Sequence, residues 1–167
     1  PVLVIVALLA AVPARAATIE ERALEVVVGP DVLERSERLR VRLEEPGDLV
    51  AWSEYTILLD DNVELVDLEA RVRDGRGEIV DRVPRRRCRK VTSAGWGLHT
   101  SSRALVVPFS KLAVGHRLEL DIRRRFRPYV PNHQIFLLAG ESQSALSVEL
   151  RGGDDLRWSL HPLATDL

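Results

Sequence analysis

Apolar and polar side chains alternate with a period of two in one segment of the chain after another. Within Arg103 to Phe126, Leu118, Leu120 and Ile122 alternate with Glu119, Asp121 and Arg123, the pattern of a strand with one dry and one wet face. This stretch predicts two extended segments joined by a connection that turns near Val114-Gly115, a strand pair around which the rest is organised. Pro108 cannot donate a ladder hydrogen bond, so it is expected at an edge or a bulge. Arg38 to Glu44 alternates as strictly, with Leu39, Val41 and Leu43 inward, and Glu45-Pro46-Gly47-Asp48 reads as a turn. Tyr55, Ile57 and Leu59, then Val66, Leu68, Ala70 and Val72, then Glu78 to Val83, predict a β-meander whose second turn is Asp74-Gly75. Arg22 to Val28 reads as a strand ending at Gly29-Pro30, although Thr18 to Leu24 has the composition to begin as a helical turn.

Farther along, Arg85 to Val91 is short, extended and basic, and Thr92 to Gly97 is a small-residue loop. Arg127 to Pro131 is too proline-rich for a central strand. Gln134 to Leu138 is a short apolar segment. Leu146, Val148 and Leu150 alternate, and after the turn Gly152 to Asp155 so do Leu156, Trp158 and Leu160. No stretch after residue 30 sustains a 3.6-residue apolar period. Strands recur between turn signals at short intervals, which predicts an all-β fold: an antiparallel β-sandwich of about 9–11 short strands with little helix.

The amino terminus is the exception to this pattern. Val2 to Val12 is an unbroken apolar run, Pro13 ends it, and Ala14-Arg15-Ala16 has the small-x-small form of a signal-peptidase site. Residues 1–16 are therefore expected to be a signal peptide and 17–167 a single β-sandwich domain. The run is well short of the ~20 residues of a membrane-spanning helix, so no stable span is expected after cleavage. The start at Pro1, with no initiator Met and no basic stretch, reads as a fragment's front edge. Export places the protein in a bacterial periplasm or outside the cell.

At 167 residues, 46% hydrophobic and 29% charged, the chain has enough apolar material for one core. The formal net charge of −1 argues against nucleic acid as a partner. The charges are nevertheless segregated: residues 17–84 hold 18 acidic and 9 basic side chains, residues 85–167 hold 7 and 14. Adjacent strands from the two halves would neutralise each other through cross-strand pairs; a bipolar surface with a basic face is the other arrangement. Cys88 is the only cysteine, so an exported domain gains nothing from an internal disulfide.

Candidate chemistry is sparse. Flanking Arg87 and Arg89 would favour a Cys88 thiolate, with His99 as a base, but Cys88 opens no helical pattern and reads as a small core or edge residue. The four histidines, His99, His116, His133 and His161, form no ligand-spaced pair, and Asp60-Asp61-Asn62 is shorter than a calcium loop. No catalytic residue, cofactor or metal is expected. The basic runs Arg85-Arg86-Arg87 and Arg123-Arg124-Arg125, if extended, put Arg on both faces, so some must snorkel or pair. Trp96 between glycines and Tyr129 between prolines are aromatic candidates for a ligand or partner surface, together with Arg87, Arg89, Arg125 and Arg127.

The order of these features resembles the domain-of-unknown-function family 3857. The resemblance rests on the strand Arg38–Glu44, the hairpin segment EYTILLDDNVELVDLEARVRDGRGEIV, Val107-Pro108-Phe109 with Gly115 after it, and Arg127–Pro131, and it runs from about Val26 to Pro162. The chain departs from the family at His116, where the family often carries an acidic residue. The resemblance implies an exported all-β module ahead of a transglutaminase-like domain, whose catalytic residues would lie beyond Leu167. The expected function is a non-catalytic accessory or recognition module that binds or positions a peptide, a glycan or the following domain. The alternative is a structural assembly module with no small ligand.

Overall fold

The computed structural model describes residues 15–59, 61–92, 103–127, 141–143 and 145–152. In chain order these form β1 (Arg15–Val28), β2 (Leu33–Arg42), a short helix α1 (Pro46–Ala51), β3 (Glu54–Leu59), β4 (Val63–Arg73), β5 (Ile79–Arg82), a 3-10 turn (Arg85–Arg87), β6 (Arg89–Thr92), β7 (Arg103–Pro108), β8 (Arg117–Phe126), β9 (Glu141–Gln143) and β10 (Leu146–Arg151). The fold is all-β, in two sheets. The larger has the order β10-β1-β2-β8-β4-β5, with β9 also on β1, and the smaller is β3-β7-β6. Both β9 and β10 run parallel to β1, so the large sheet is mixed rather than wholly antiparallel.

The dry faces of the two sheets meet. Val41, Val72, Leu118 and Leu120 of the large sheet and Ile57, Leu105 and Val107 of the small one belong to one buried cluster. Two bulges keep apolar residues on the inner face. A register shift between Ile19 and Glu21 in β1, and another between Leu65 and Asp67 in β4, change which parity points inward. The inward set on β4 therefore includes Leu65 in place of Val66, the residue that strict alternation predicts.

Four other expectations are corrected. The two segments within Arg103 to Phe126 are not a pair: β7 is the centre of the small sheet, while β8 lies between β2 and β4 in the large one. Their connection crosses between sheets, closing where Gly115 adopts φ +85° and donates from its N–H to Leu43 O at 2.7 Å. The meander is likewise only a β4–β5 hairpin, because β3 pairs with β7. The expected turn at Glu45-Pro46-Gly47-Asp48 opens α1, with Pro46 in its first turn and a reciprocal Glu45–Asp48 capping box. Pro108 sits at neither an edge strand nor a bulge but at the last position of central strand β7, beyond the residues paired with β6; there its missing donor interrupts no ladder.

The helical alternative at Thr18 to Leu24 does not occur, since β1 has partners on both sides and tertiary pairing overrides local propensity. β1 begins at Arg15, two residues before the expected mature start; the rest of the expected signal segment lies outside the described residues. So do the segments Gln134–Leu138 and Leu156–Leu160.

Leu120 is fully buried in β8, whereas Leu58 of β3 is 71% exposed. Leu120→Ala should cost about 2–5 kcal/mol, and Leu58→Ala should stay within about 0.5 kcal/mol, both read from urea unfolding. Equal losses at the two positions would contradict this placement of the core.

Candidate functional site

The segregated charges of the sequence are interleaved by the fold. Arginines of the basic half meet carboxylates of the acidic half: Arg117 with Glu20 at 2.5 Å, Arg125 with Glu34 at 2.7 Å, and Arg151 with Glu25 at 3.1 Å. Pairs of the opposite polarity complete the pattern, Arg40 with Asp121 at 2.9 Å and Arg73 with Glu119 at 2.9 Å. The outer face is thus a lattice of cross-strand pairs. Each exposed pair contributes at most about 1 kcal/mol.

The surface residues singled out in the sequence are not brought together. Trp96 and Tyr129 lie outside the described residues, as do His99, His133 and His161. Arg87 ties the 3-10 turn to the end of β7: it donates to Asp81 at 2.9 Å, to Arg82 O at 3.1 Å and to Ser110 Oγ at 3.1 Å. Burial pushes the Asp81 carboxyl up, but hydrogen bonds from Ser110 and Arg87 outweigh it and hold the carboxyl below its ordinary range. Arg89 pairs with Glu54. Arg125 bridges Glu34 and Glu64, and Arg127 is exposed just past β8, its backbone N–H on Asn62 O. Burial raises the Cys88 thiol despite Arg85 and Arg87. Cys88 is a half-buried free thiol packed against the core.

A groove of about 420 Å³ lies on the outer face, over β10, β1, β2 and β8. The register explains it. Two adjacent cross-strand rows run Ser147–Ala23–Arg38–Asp121 and Glu149–Glu25–Ser36–Arg123–Asp67. The small side chains Ala23, Ser36 and Ser147 leave a depression among the long charged ones. Glu25 and Glu149 are engaged by Arg151, and Asp121 by Arg40. Arg123 has no ion-pair partner among the described residues and presents a free guanidinium between Ser36 and Asp67. Hydroxyl and carboxylate acceptors beside a free donor fork suit a ligand rich in hydroxyl or amide groups.

On the opposite face of the same strands is a cluster that alternation alone did not bring forward. Glu37 of β2 points inward, and its carboxylate accepts from Arg22 Nη2 at 3.0 Å, Arg35 Nη2 at 3.2 Å and Arg124 Nη2 at 3.1 Å. The Glu37 side chain is only 2% exposed. Around it lie Leu24, Val26, Leu33 and Ile122, all buried. Tyr55 of β3 faces the cluster from the small sheet; burial pushes its hydroxyl up to about 12. The Trp52 ring lies parallel to that of Tyr55, 6.4 Å away. Burial brings the Arg35 guanidinium down to about 10. For Glu37 burial acts upward, yet the guanidiniums of Arg35, Arg22 and Arg124 together hold its carboxyl below the ordinary 4.5. The signal for this cluster was present: counting back in twos from Leu39 places Glu37 and Arg35 on the dry face.

Glu37→Gln leaves three guanidiniums facing no carboxylate, and it should cost about 3–5 kcal/mol at neutral pH. The folded carboxyl titrates below the unfolded one, so the unfolded state binds more protons in acid. The contribution of Glu37 is complete above about pH 4.5 and is lost as pH falls through the folded value. Chemical denaturation of both chains across pH 2–7 should therefore show a shallower acid loss for Glu37→Gln. Parallel acid limbs would contradict the role given to this carboxylate.

The chain matches no family model and no curated protein. Among solved structures it is similar to the "crystal structure of a putative protease" from Parabacteroides distasonis, with a TM-score of 0.58 and 18% identity. That match covers 68% of this chain and 23% of that one. The likeness shows a shared fold, present there as under a quarter of a longer chain.

Proposed function

We propose that this chain is a non-catalytic recognition or accessory module of an exported protein, one that positions a peptide, a glycan or an adjoining domain for chemistry done elsewhere. The observation that carries the reading is the recurrence of this fold as a minor part of a much longer chain in the Parabacteroides structure, the behaviour of a module rather than a stand-alone enzyme. The resemblance to the family 3857 modules supports the same context, with a transglutaminase-like domain as the adjoining partner. The paired charges support it too: the arginines and carboxylates of the outer face are largely engaged with one another, and the groove offers hydrogen-bonding groups without a nucleophile–base pair among its lining residues.

Titrating the full chain with cell-wall peptides and with glycans should give saturable binding and no turnover. Arg123→Ala should weaken that binding about tenfold, roughly 1.4 kcal/mol, and leave the melting temperature unchanged because Arg123 has no ion pair to lose among the described residues. Hydrolysis or group transfer by the chain itself would sink the non-catalytic reading.

One observation favours a second reading, assembly through a sheet edge. Among the described residues β10 is the outermost strand beside β1, and it exposes Leu146 and Val148 at 43% and 40%; unpaired edges of this kind are templates for pairing. Sedimentation separates the two. A discrete oligomer dissociated by Val148→Lys supports assembly, and a monomer at all concentrations eliminates it.

A further inference from the structure

The interior cluster is short of negative charge. Among the described residues, Arg22, Arg35 and Arg124 share the single carboxylate of Glu37, an excess of two positive charges on the inner face. The Nε atoms of all three are buried and have no hydrogen-bond partner among the described residues. A buried donor left unpaired and a buried charge left uncompensated are both costly. The imbalance cannot be relieved by proton loss, because a guanidinium keeps its proton under ordinary conditions; even Arg35, lowered to about 10, stays charged at neutral pH. Nor does Tyr55 supply a charge, since its hydroxyl stays protonated up to about pH 12. No second carboxylate of the described residues reaches the cluster, and a bound anion would balance it.

Planar guanidinium forks match the paired oxygens of carboxylate and phosphate groups. The cluster is deep but not sealed, since the side chains of Arg22, Arg35 and Arg124 retain 12%, 10% and 13% of their exposure. We infer that the inner face of the large sheet is a binding site for one small oxyanion, a carboxylate or phosphate group, held by Arg22, Arg35 and Arg124 beside Glu37. The site is distinct from the outer groove, on the other side of the same strands, and does not depend on the function proposed for that groove.

Thermal unfolding of the full chain in inorganic phosphate, in acetate and in chloride, at matched ionic strength, tests this. An oxyanion bound only by the folded state raises the melting temperature saturably. Phosphate or acetate should do so beyond chloride, and which of the two acts identifies the group. Arg124→Gln removes one excess charge and should weaken the apparent affinity at least about tenfold. Glu37→Gln removes the built-in carboxylate, so its dependence on the added anion should be larger than that of the unaltered chain. Equal shifts in all three salts, meaning screening alone, would overturn the inference. So would a Glu37→Gln chain that responds to phosphate and acetate no more than to chloride, or an Arg124→Gln chain that keeps the full response.

Discussion

The structure depends on the position of β8. Flanked by β2 on one side and β4 on the other over most of its length, it joins two of the long strands of the acidic half, and its inner row of Leu118, Leu120 and Ile122 forms part of the core floor on which the small sheet rests. Burying a side chain of this size contributes roughly 1.5–3 kcal/mol relative to exposure, so these three alone are comparable to a large part of a domain's net margin. Among the described residues, the basic half meets the acidic half across the large sheet through this strand and through β9 and β10 on the far side of β1.

That placement explains why an almost neutral chain carries such unequal halves. A strand drawn from the basic half and inserted between two from the acidic half turns a sequence-level charge separation into alternating neighbours. Arg117, Arg124 and Arg125 find Glu20, Glu37 and Glu34, while Asp121 and Glu119 of the same strand find Arg40 and Arg73. The exposed pairs are individually weak. Several of them form on the diagonal, since the register itself sets Arg42 and Arg73 opposite Arg117 and Glu69 opposite Asp121.

Strand existence and facing were legible where alternation is local, as in Arg38–Glu44 and Leu118–Ile122; at Leu146–Leu150 the strand was legible, but Leu146 and Val148 stay exposed. Partnership was not. Period-2 patterning gives each strand a dry face but is silent on which sheet it joins, so β3 looked like the first strand of a meander and β7 like the partner of β8. The bulges in β1 and β4 were equally invisible, because an extra residue shifts parity without leaving a compositional mark. The interior cluster was missed for another reason: Arg35 and Glu37 sit in inward register, but charged residues read as surface until their partners are known, and Arg22 and Arg124 come from different strands. The outer groove had no sequence signal at all, being a gap left where Ala23, Ser36 and Ser147 fall side by side.

The interior cluster depends in turn on strand register. Arg123, Arg124 and Arg125 are chemically interchangeable in sequence, and β8 slipped by one residue would still offer arginine to β2. Glu37 alone would not reject that slip, because Arg123 or Arg125 would take the place of Arg124 beside it. The apolar row does: a one-residue slip moves Leu118, Leu120 and Ile122 out of the core and onto the wet face. With that row inward, Arg124 shares its parity and reaches Glu37, whose carboxylate accepts from β1, from β2 itself and from β8 at once. The same parity puts Arg123 on the outer face, where it lines the groove. Hydrophobic register therefore selects which arginine is buried, and Glu37 gives the selected one a counter-charge.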